Sequence, residues 1–206
     1  VVGSSDYSRV SSDLLISGAP GTGKSYYLRN KLDGLGVRGY RRVQFHPSYT
    51  SDNFFGVYKP RSIDGDSGKV VYEYESGPFI DLWLEAVLDL NSSNPGTYVL
   101  LIEEISRSDP YGVFKELFQL LDRVCESDED RESFELGMST YDIDIDVSLR
   151  DYIISELKRG LRGRTEVSEA FLSVLGLGDM GYSVGEKFPL SALDSISKLR
   201  LPSNFY

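Results

Sequence analysis

The stretch Gly18-Ala19-Pro20-Gly21-Thr22-Gly23-Lys24-Ser25 decides the fold of this chain, because it satisfies the pattern G-x-x-x-x-G-K-[ST]. Its glycines allow successive backbone N–H groups to turn inward around an anion, and a helix that starts here adds the positive end of its dipole. In this pattern the lysine reaches the β- and γ-phosphates of a nucleotide, and the serine hydroxyl reaches Mg²⁺. We therefore predict that residues 18–25 bind a nucleoside triphosphate, with Lys24 as a catalytic contact and Ser25 as a metal ligand. The alternative is a glycine-rich turn that matches the pattern by chance.

The segments around this motif alternate between strands and helices. Short strands are predicted at 13–17, ending at Gly18, and at 42–45, and a hairpin strand at 70–74. Helices are predicted from about Lys24 to Leu32, from Pro78 to Leu90 with Asp81, Glu85 and Asp89 on a solvent face, and over the stripe from Phe114 to Val124. The all-apolar run Tyr98–Ile102 predicts a buried parallel strand. This order predicts an α/β domain with a mostly parallel sheet flanked by helices.

Two glutamates, Glu103 and Glu104, follow the predicted buried strand. Ligands of open α/β sheets bind at the carboxyl ends of the strands, so these side chains and the glycine-rich motif are expected to converge there. Glu103 would hold Mg²⁺ through water, and Glu104 would orient or polarise an attacking water molecule. The alternative is that both glutamates simply begin an exposed loop.

The residues beyond this strand resemble a known family. The segments Glu103–Asp109 and Val113–Leu121 resemble the D-E-I-N-R-A-N … F-G-E-L-x-x-L-L segment of McrB-type AAA+ proteins, the GTPase motor subunits of 5-methylcytosine-specific restriction systems. The segments Val43–Thr50 and Phe55–Pro60 are similar to the family's F-H-x-S-Y-x-x-x-D-F-x-x-G-x-x-P segment. The resemblance covers residues 12–125 and the last few residues. It implies a P-loop NTPase core of the AAA+ type.

The resemblance also implies an activity and partners. A protein of this family would hydrolyse GTP or ATP with Mg²⁺, assemble into a homo-oligomeric ring of the hexamer type and work with a McrC-like nuclease subunit. DNA would be bound indirectly or through regions outside this chain. Arg107 matches the motif arginine of the family, either at a subunit interface with a catalytic role or in a local salt bridge with Glu104 or Asp109.

The chain departs from the family pattern at three places. Glu103 replaces the metal-side aspartate, and Ser106 replaces the asparagine before the motif arginine. The M-N-T-x-D sensor segment, expected just beyond Tyr206, is absent. By family architecture its strand lies between the strand before Gly18 and the strand that ends at Glu103. We therefore predict that the chain is a piece of a longer protein and that its sheet is incomplete.

The second half of the chain has a different composition. Nine acidic residues and a single basic one, Arg131, lie between Glu126 and Asp146. We predict three regions: the nucleotide-binding core at 1–125, an acidic insertion at 126–200 and the start of the next core strand at 201–206. Within the insertion, Tyr141–Val147 alternates as a hairpin arm with a solvated acidic face, and Leu149–Leu161 is predicted to be a helix. The basic run Lys158–Arg164 either touches DNA or complements the end of that helix.

The composition excludes several classes of protein. The net charge of −10 argues against a domain that grips nucleic acid mainly through its own surface. A single cysteine, Cys125, indicates a reducing compartment, and no apolar run approaches the roughly 18 residues of a membrane span. With no signal-peptide pattern, these features predict a cytoplasmic protein without membrane contact. His46, the only histidine, is expected to have a structural role.

Two functional classes remain open from the sequence. The first is a nucleotide-hydrolysing motor domain that resembles the McrB subunit and serves a partner nuclease. The alternative is a MoxR- or dynein-related ATPase that remodels protein complexes, or a switch that binds nucleotide without hydrolysis. The segment His46–Pro60 favours the first class, whereas Glu103 and the acidic surface leave room for the second.

Overall fold

The computed structural model describes residues 14–62, 70–124 and 137–206, and a central helix organises them. This helix, α3 (Pro78–Asp89), begins with proline at its first position, where the missing N–H has no intrahelical partner to lose. Seven of its side chains are buried: Phe79, Ile80, Leu82, Trp83, Leu84, Ala86 and Val87. The predicted solvent face is therefore wrong for most of its length, because only Glu85 is exposed. Asp81 accepts a hydrogen bond from Ser76, and Asp89 contacts Arg38 and the N–H of Gly96, so neighbours from the first half of the chain cover these two positions.

One side of α3 packs against a parallel pair of strands. Strand β1 (Val37–Gln44) follows helix α1 (Lys24–Gly34), and strand β4 (Thr97–Glu103) follows α3. The two strands pair in parallel with Gln44 opposite Glu103, so both end at the same edge. The α/β fold with a small parallel sheet and flanking helices is confirmed.

The last residues of the chain lie along the other edge of β4. Tyr98 donates its N–H to the carbonyl of Asn204 at 2.8 Å, and Tyr206 donates back to the carbonyl of Tyr98 at 2.8 Å. Leu100 donates to the carbonyl of Tyr206 at 2.7 Å, and the pairing is parallel. These residues occupy the sheet position next to β4, while the region boundaries near 125 and 200 stay predictions.

A β-hairpin lies between β1 and β4 in the sequence. It follows the one-turn helix α2 (Ser51–Phe54) and consists of β2 (Gly56–Ser62) and β3 (Val70–Ser76), paired antiparallel. The predicted strand at 70–74 is thus one arm of this hairpin. The rings of Tyr58 and Tyr74 meet edge to face at 5.5 Å on one side, and Lys59 pairs with Glu75 at 2.7 Å on the other.

The second half of the chain packs against the far side of α3. Helices α5 (Val147–Gly160) and α6 (Glu169–Val174) lie between the short strands β5 (Ile143–Asp144) and β6 (Lys198–Leu199), which pair antiparallel. Gly160 allows α5 to lie close to α3, because a Cβ at this position would lie 2.6 Å from a methyl carbon of Leu88. Trp83 donates its indole N–H to the carbonyl of Arg200 at 2.7 Å. Buried residues of both halves therefore form one continuous apolar core.

The alternating carboxylates before α5, on Asp142, Asp144 and Asp146, have different contacts. Asp142 pairs with Lys198 at 2.9 Å and Arg200 at 3.0 Å, and although burial raises its pKa, these hydrogen bonds lower it overall. Asp146 caps α5 by accepting the N–H of Leu149 at 3.0 Å. Of the predicted solvated face, only Asp144 is exposed without such a contact among the described residues. The acidic run at 126–135, with Arg131 and Cys125, lies outside the described residues.

Two predictions of secondary structure are wrong: the strand at 13–17 and the continuous helix from Phe114 to Val124. Residues 14–17 form no strand, and the side chain of Leu15 is 80% exposed (Asp13 is outside the described residues). A strand needs a paired neighbour, and no strand among the described residues pairs with residues 14–17.

The helix predicted from Phe114 to Val124 is interrupted. Helix α4 (Pro110–Phe114) ends at Lys115, whose φ of 50° and ψ of −122° lie outside the helical region, and a 3₁₀ segment continues to Leu121. Such a segment repeats every three residues, which buries Phe114, Leu117 and Leu120 on one side. Phe118 and Leu121, which an α-helix would have placed on the buried side, are exposed, so the predicted stripe is replaced by one with a shorter period.

The predicted buried strand is buried only in part. Within β4 the side chain of Tyr98 is buried, whereas Leu100, Leu101 and Ile102 are half-buried. Leu101 lies on the face of β4 that turns away from α3, which the described residues cover only partly, whereas Leu100 and Ile102 pack against the edge of the core on the other face.

Candidate nucleotide-binding site

The glycine-rich loop at 18–23 folds as a tight turn into α1. Gly21 and Gly23 have φ values of 78° and 81°, in the left-handed region that other residues rarely adopt. Thr22 closes the turn by donating its hydroxyl to the carbonyl of Ala19 at 2.8 Å. The helix then begins with the bond from the Tyr27 N–H to the carbonyl of Gly23 at 2.9 Å. The glycine positions are those that the phosphate-binding pattern requires.

Lys24 lies across the mouth of this loop. Its ammonium group donates to the carbonyls of Gly18 and Ala19, at 2.8 Å and 2.9 Å. The side chain therefore folds back over the concavity formed by residues 18–23. Ser25, the next residue, is exposed at the first turn of α1, a helix without buried residues.

Glu103 ends β4 in contact with an arginine that the sequence analysis missed. The Nε and Nη2 atoms of Arg42 both donate to Oε2 of Glu103, at 2.9 Å and 2.7 Å. This hydrogen bond and the charge of Glu103 raise the pKa of the Arg42 guanidinium. The parallel register brings Arg42 beside Glu103, and only strand pairing could have revealed that contact.

Glu104 has an unusual backbone. Its φ of 56° and ψ of 37° are left-handed, and the residue begins a 3₁₀ turn, Ile105–Arg107. Arg107 contacts it in a local salt bridge, Nε to Oε2 at 3.0 Å. Of the two alternatives for Arg107, the local salt bridge is present in the structure, and a role at a subunit interface stays a prediction.

The structure brings some candidates together and leaves others apart. Arg42, Glu103 and Glu104 meet at one edge of the parallel pair. Among the described residues, no hydrogen bond or ion pair links the loop at 18–25 with either glutamate. Their convergence around one nucleotide therefore stays a prediction.

The donor atoms fit a magnesium ion. The Ser25 hydroxyl and the Glu103 carboxylate offer the hard oxygen ligands that Mg²⁺ prefers, and Arg42 engages only one of the two carboxylate oxygens. No group of three or more His, Cys, Asp or Glu side chains with metal-binding geometry occurs in the described parts of the chain. A site with few protein ligands, completed by water and phosphate, is the usual arrangement for Mg²⁺.

His46 and two aromatic side chains in the first half of the chain differ in their surroundings. His46 is exposed and contacts the ring of Tyr49 edge to face at 5.5 Å. Phe54 is fully buried, stacked at 5.3 Å on Phe79. Tyr26 is 72% exposed on α1.

Comparison with known families decides the class of this site. The family described as AAA domain (dynein-related subfamily) matches residues 13–175, most of the chain. The chain belongs to this AAA family. As an AAA domain it is a P-loop protein of the nucleotide-hydrolysing class, and the expected AAA+ core is confirmed.

Two relatives of this AAA domain are components of restriction enzymes. It is 34% identical over 138 residues to "Type II restriction enzyme BsuMI component YdiS" of Bacillus subtilis (strain 168), which covers 56% of this chain and 39% of that protein. It is 24% identical over 169 residues to "Type IV methyl-directed restriction enzyme EcoKMcrB subunit" of Escherichia coli (strain K12), covering 75% of this chain and 34% of that protein. The predicted resemblance to McrB-type proteins is confirmed, and the matches span less than half of either relative.

In residues 14–62, 70–124 and 137–206, no helix combines the length and the apolar character that crossing a bilayer requires.

Proposed function

We propose that this AAA domain binds and hydrolyses GTP or ATP as the motor of a McrB-like DNA restriction system. The observation that carries the proposal is the loop at 18–23, where left-handed Gly21 and Gly23 lead into α1 and Lys24 closes the mouth. A loop of this shape offers backbone N–H groups and a mobile cation to a polyphosphate.

In this proposal, each residue of the site has its own role. Lys24 exchanges the carbonyls of Gly18 and Ala19 for the β- and γ-phosphates, so the loop opens as the nucleotide enters. Ser25 and Glu103 would hold Mg²⁺, Glu103 through water, and the ion would supply positive charge that stabilises the phosphates. Glu104 orients the attacking water at the carboxyl end of β4.

Arg107 has a second assignment in this proposal. In the free chain it pairs with Glu104 at 3.0 Å while its own side chain remains 62% exposed. An exposed pair of this kind contributes little and exchanges partners readily. We assign Arg107 to the interface with a neighbouring subunit in the assembled ring, where it releases Glu104 for water activation.

The proposed partners follow from the names of the relatives. Both are components of restriction enzymes. We propose that this domain forms a homo-oligomeric ring of the hexamer type in the cytoplasm and drives a McrC-like nuclease subunit. Contact with DNA is indirect or through regions outside this chain, which agrees with the net charge of −10.

A second candidate is a protein-remodelling ATPase, or a switch that binds nucleotide without hydrolysing it. One observation favours it: the matched family is described as dynein-related. Nucleotide-dependent retention of methylated duplex DNA on filters, by the protein with its partner subunit, supports the restriction motor. Its absence in every nucleotide state favours the second candidate.

The first test is a thermal-shift titration with GTP, ATP and their diphosphates, with and without Mg²⁺. At a hundredfold excess over Kd, binding stabilises the protein by about 2.7 kcal/mol, a shift of a few degrees. We expect Lys24→Ala to abolish the shift and Lys59→Ala, on the hairpin, to keep it. A shift with GTP alone supports the McrB-like motor, and one with ATP alone supports the remodelling ATPase. No shift with any nucleotide contradicts the proposed function.

A further inference from the structure

Arg42 contacts Glu103 in an asymmetric way. Both guanidinium nitrogens, Nε and Nη2, converge on the single oxygen Oε2, at 2.9 Å and 2.7 Å. The Glu103 side chain is largely covered, with 19% of its surface exposed, whereas that of Arg42 is 59% exposed. The guanidinium therefore fixes the direction of the carboxylate and leaves Oε1 without a contact from Arg42.

The neighbouring arginines of β1 have other partners. Arg41 pairs with Glu85, and Arg38 pairs with Asp89, both on α3. Arg41 faces α3, and because alternate residues of a strand point to opposite faces, its neighbour Arg42 lies on the face of the sheet that turns away from α3. Arg38 lies before the register becomes regular, since the pairing is irregular between Val37 and Gly39. Glu103 lies on that same face, two positions beyond Leu101, the residue opposite Arg42. Arg42 is thus the arginine of β1 that contacts the carboxyl end of β4.

We propose that Arg42 is a positioning residue for Glu103. It holds Oε2 so that Oε1 is the oxygen presented to the water shell of Mg²⁺, and the inference rests on the proposed function. A glutamate has one more rotatable bond than the aspartate found at this position in McrB-type proteins. Hydrogen bonds to a metal-binding carboxylate restrict such freedom and orient the ligand.

Charge alone argues for the opposite effect. A guanidinium beside the carboxylate repels Mg²⁺ and competes with it for the same oxygen. The geometry favours positioning, because both donors share Oε2 and neither reaches Oε1. The two effects predict opposite changes in the Mg²⁺ requirement when Arg42 is removed.

The test measures the Mg²⁺ concentration that gives half of the nucleotide-dependent thermal shift, together with binding of Mn²⁺ followed by its electron paramagnetic resonance signal. For Arg42→Ala we expect an increase in that concentration of about tenfold, typical of the loss of a residue that orients a metal ligand. Arg42→Lys, which keeps one charged donor, should recover part of the loss. Arg41→Ala, the matched control, should behave as wild type because its partner is Glu85.

The outcomes separate this inference from the proposed function. An unchanged or lowered Mg²⁺ requirement in Arg42→Ala, beside a normal wild-type response, overturns positioning alone; a lowered one indicates competition. No Mg²⁺-dependent shift in the wild type overturns both. If Arg42→Ala unfolds, Arg42→Gln, which keeps donor groups without charge, gives the same comparison. Positioning predicts an increased requirement in Arg42→Gln, and an unchanged or lowered one overturns it.

Discussion

At the scale of single residues, Glu104 combines a strained backbone with a candidate catalytic carboxylate. A left-handed φ of 56° in a residue with a Cβ costs about 1–2 kcal/mol relative to the right-handed regions. Such strain persists where the surrounding structure imposes it, and it occurs most often at functional sites. The 3₁₀ turn that starts at Glu104, closed by the hydrogen bond from the Arg107 N–H to the Glu104 carbonyl at 2.8 Å, provides that constraint here.

We predict that Glu104→Gly is more stable than Glu104→Val by about 1–2 kcal/mol, because glycine adopts the left-handed region freely and a β-branched residue does not. Neither variant should hydrolyse nucleotide if Glu104 orients water. Urea unfolding followed by circular dichroism gives the stability, and phosphate release gives the activity. Equal stability of the two variants would mean that residue 104 leaves the left-handed region in solution.

At the scale of elements, Asp89 connects the C-terminal end of α3 to β1 and to the loop before β4. Its carboxylate accepts the N–H of Gly96 at 2.7 Å and pairs with Arg38 of β1. Burial raises the pKa of Asp89, but the hydrogen bonds from Gly96 and Arg38 outweigh it and lower the pKa overall. A lowered pKa contributes stability that is present above the unfolded-state value and is lost as pH falls through the folded-state value.

We therefore predict that Asp89→Asn lowers the free energy of unfolding by about 1–2 kcal/mol at neutral pH. The difference from wild type should shrink below about pH 5 and vanish in stronger acid, where the wild-type carboxylate is protonated. Glu85→Gln, which removes the exposed partner of Arg41, is the control and should change stability by less than about 1 kcal/mol. Urea titrations between pH 3 and 8 give the comparison, and a difference independent of pH would contradict the linkage.

Sequence patterns predicted the elements that depend on local signals. The phosphate-loop glycines, the proline at the start of α3 and the apolar periodicity of α5 each act over a few residues, and each led to the element that is observed. Contacts between distant segments were not predicted. The partner of Glu103 depends on strand register, and cover of α3 on both sides depends on how helices from residues 147–174 pack.

At the scale of the whole molecule, both halves of the chain share one core. Trp83, the single tryptophan, is fully buried in α3 between β1 and β4 on one side and α5 and α6 on the other. Its indole N–H donates to the carbonyl of Arg200, so this fluorescent side chain contacts both halves of the chain. The difference in composition between the halves therefore does not mark a division of the core.

We predict that tryptophan fluorescence and far-ultraviolet circular dichroism report one coincident unfolding transition, the signature of a cooperative unit. Leu172→Ala in α6 should lower both midpoints together, with a loss of about 2–4 kcal/mol, because it opens a cavity in the shared core. Met180→Ala, at an exposed position, should leave both unchanged. If only the dichroism transition moved in Leu172→Ala, the second half would unfold by itself.

The pairing of Tyr98 with Phe205 has a consequence for how the protein is made. More than 100 residues separate these partners, so the ribosome must synthesise all of them before that edge of β4 can be covered. Until then the nascent chain presents an apolar strand with open hydrogen-bonding groups, which is a template for association with other chains. Closure of this long loop is expected to come late in folding, and the chain would depend on chaperones during its synthesis.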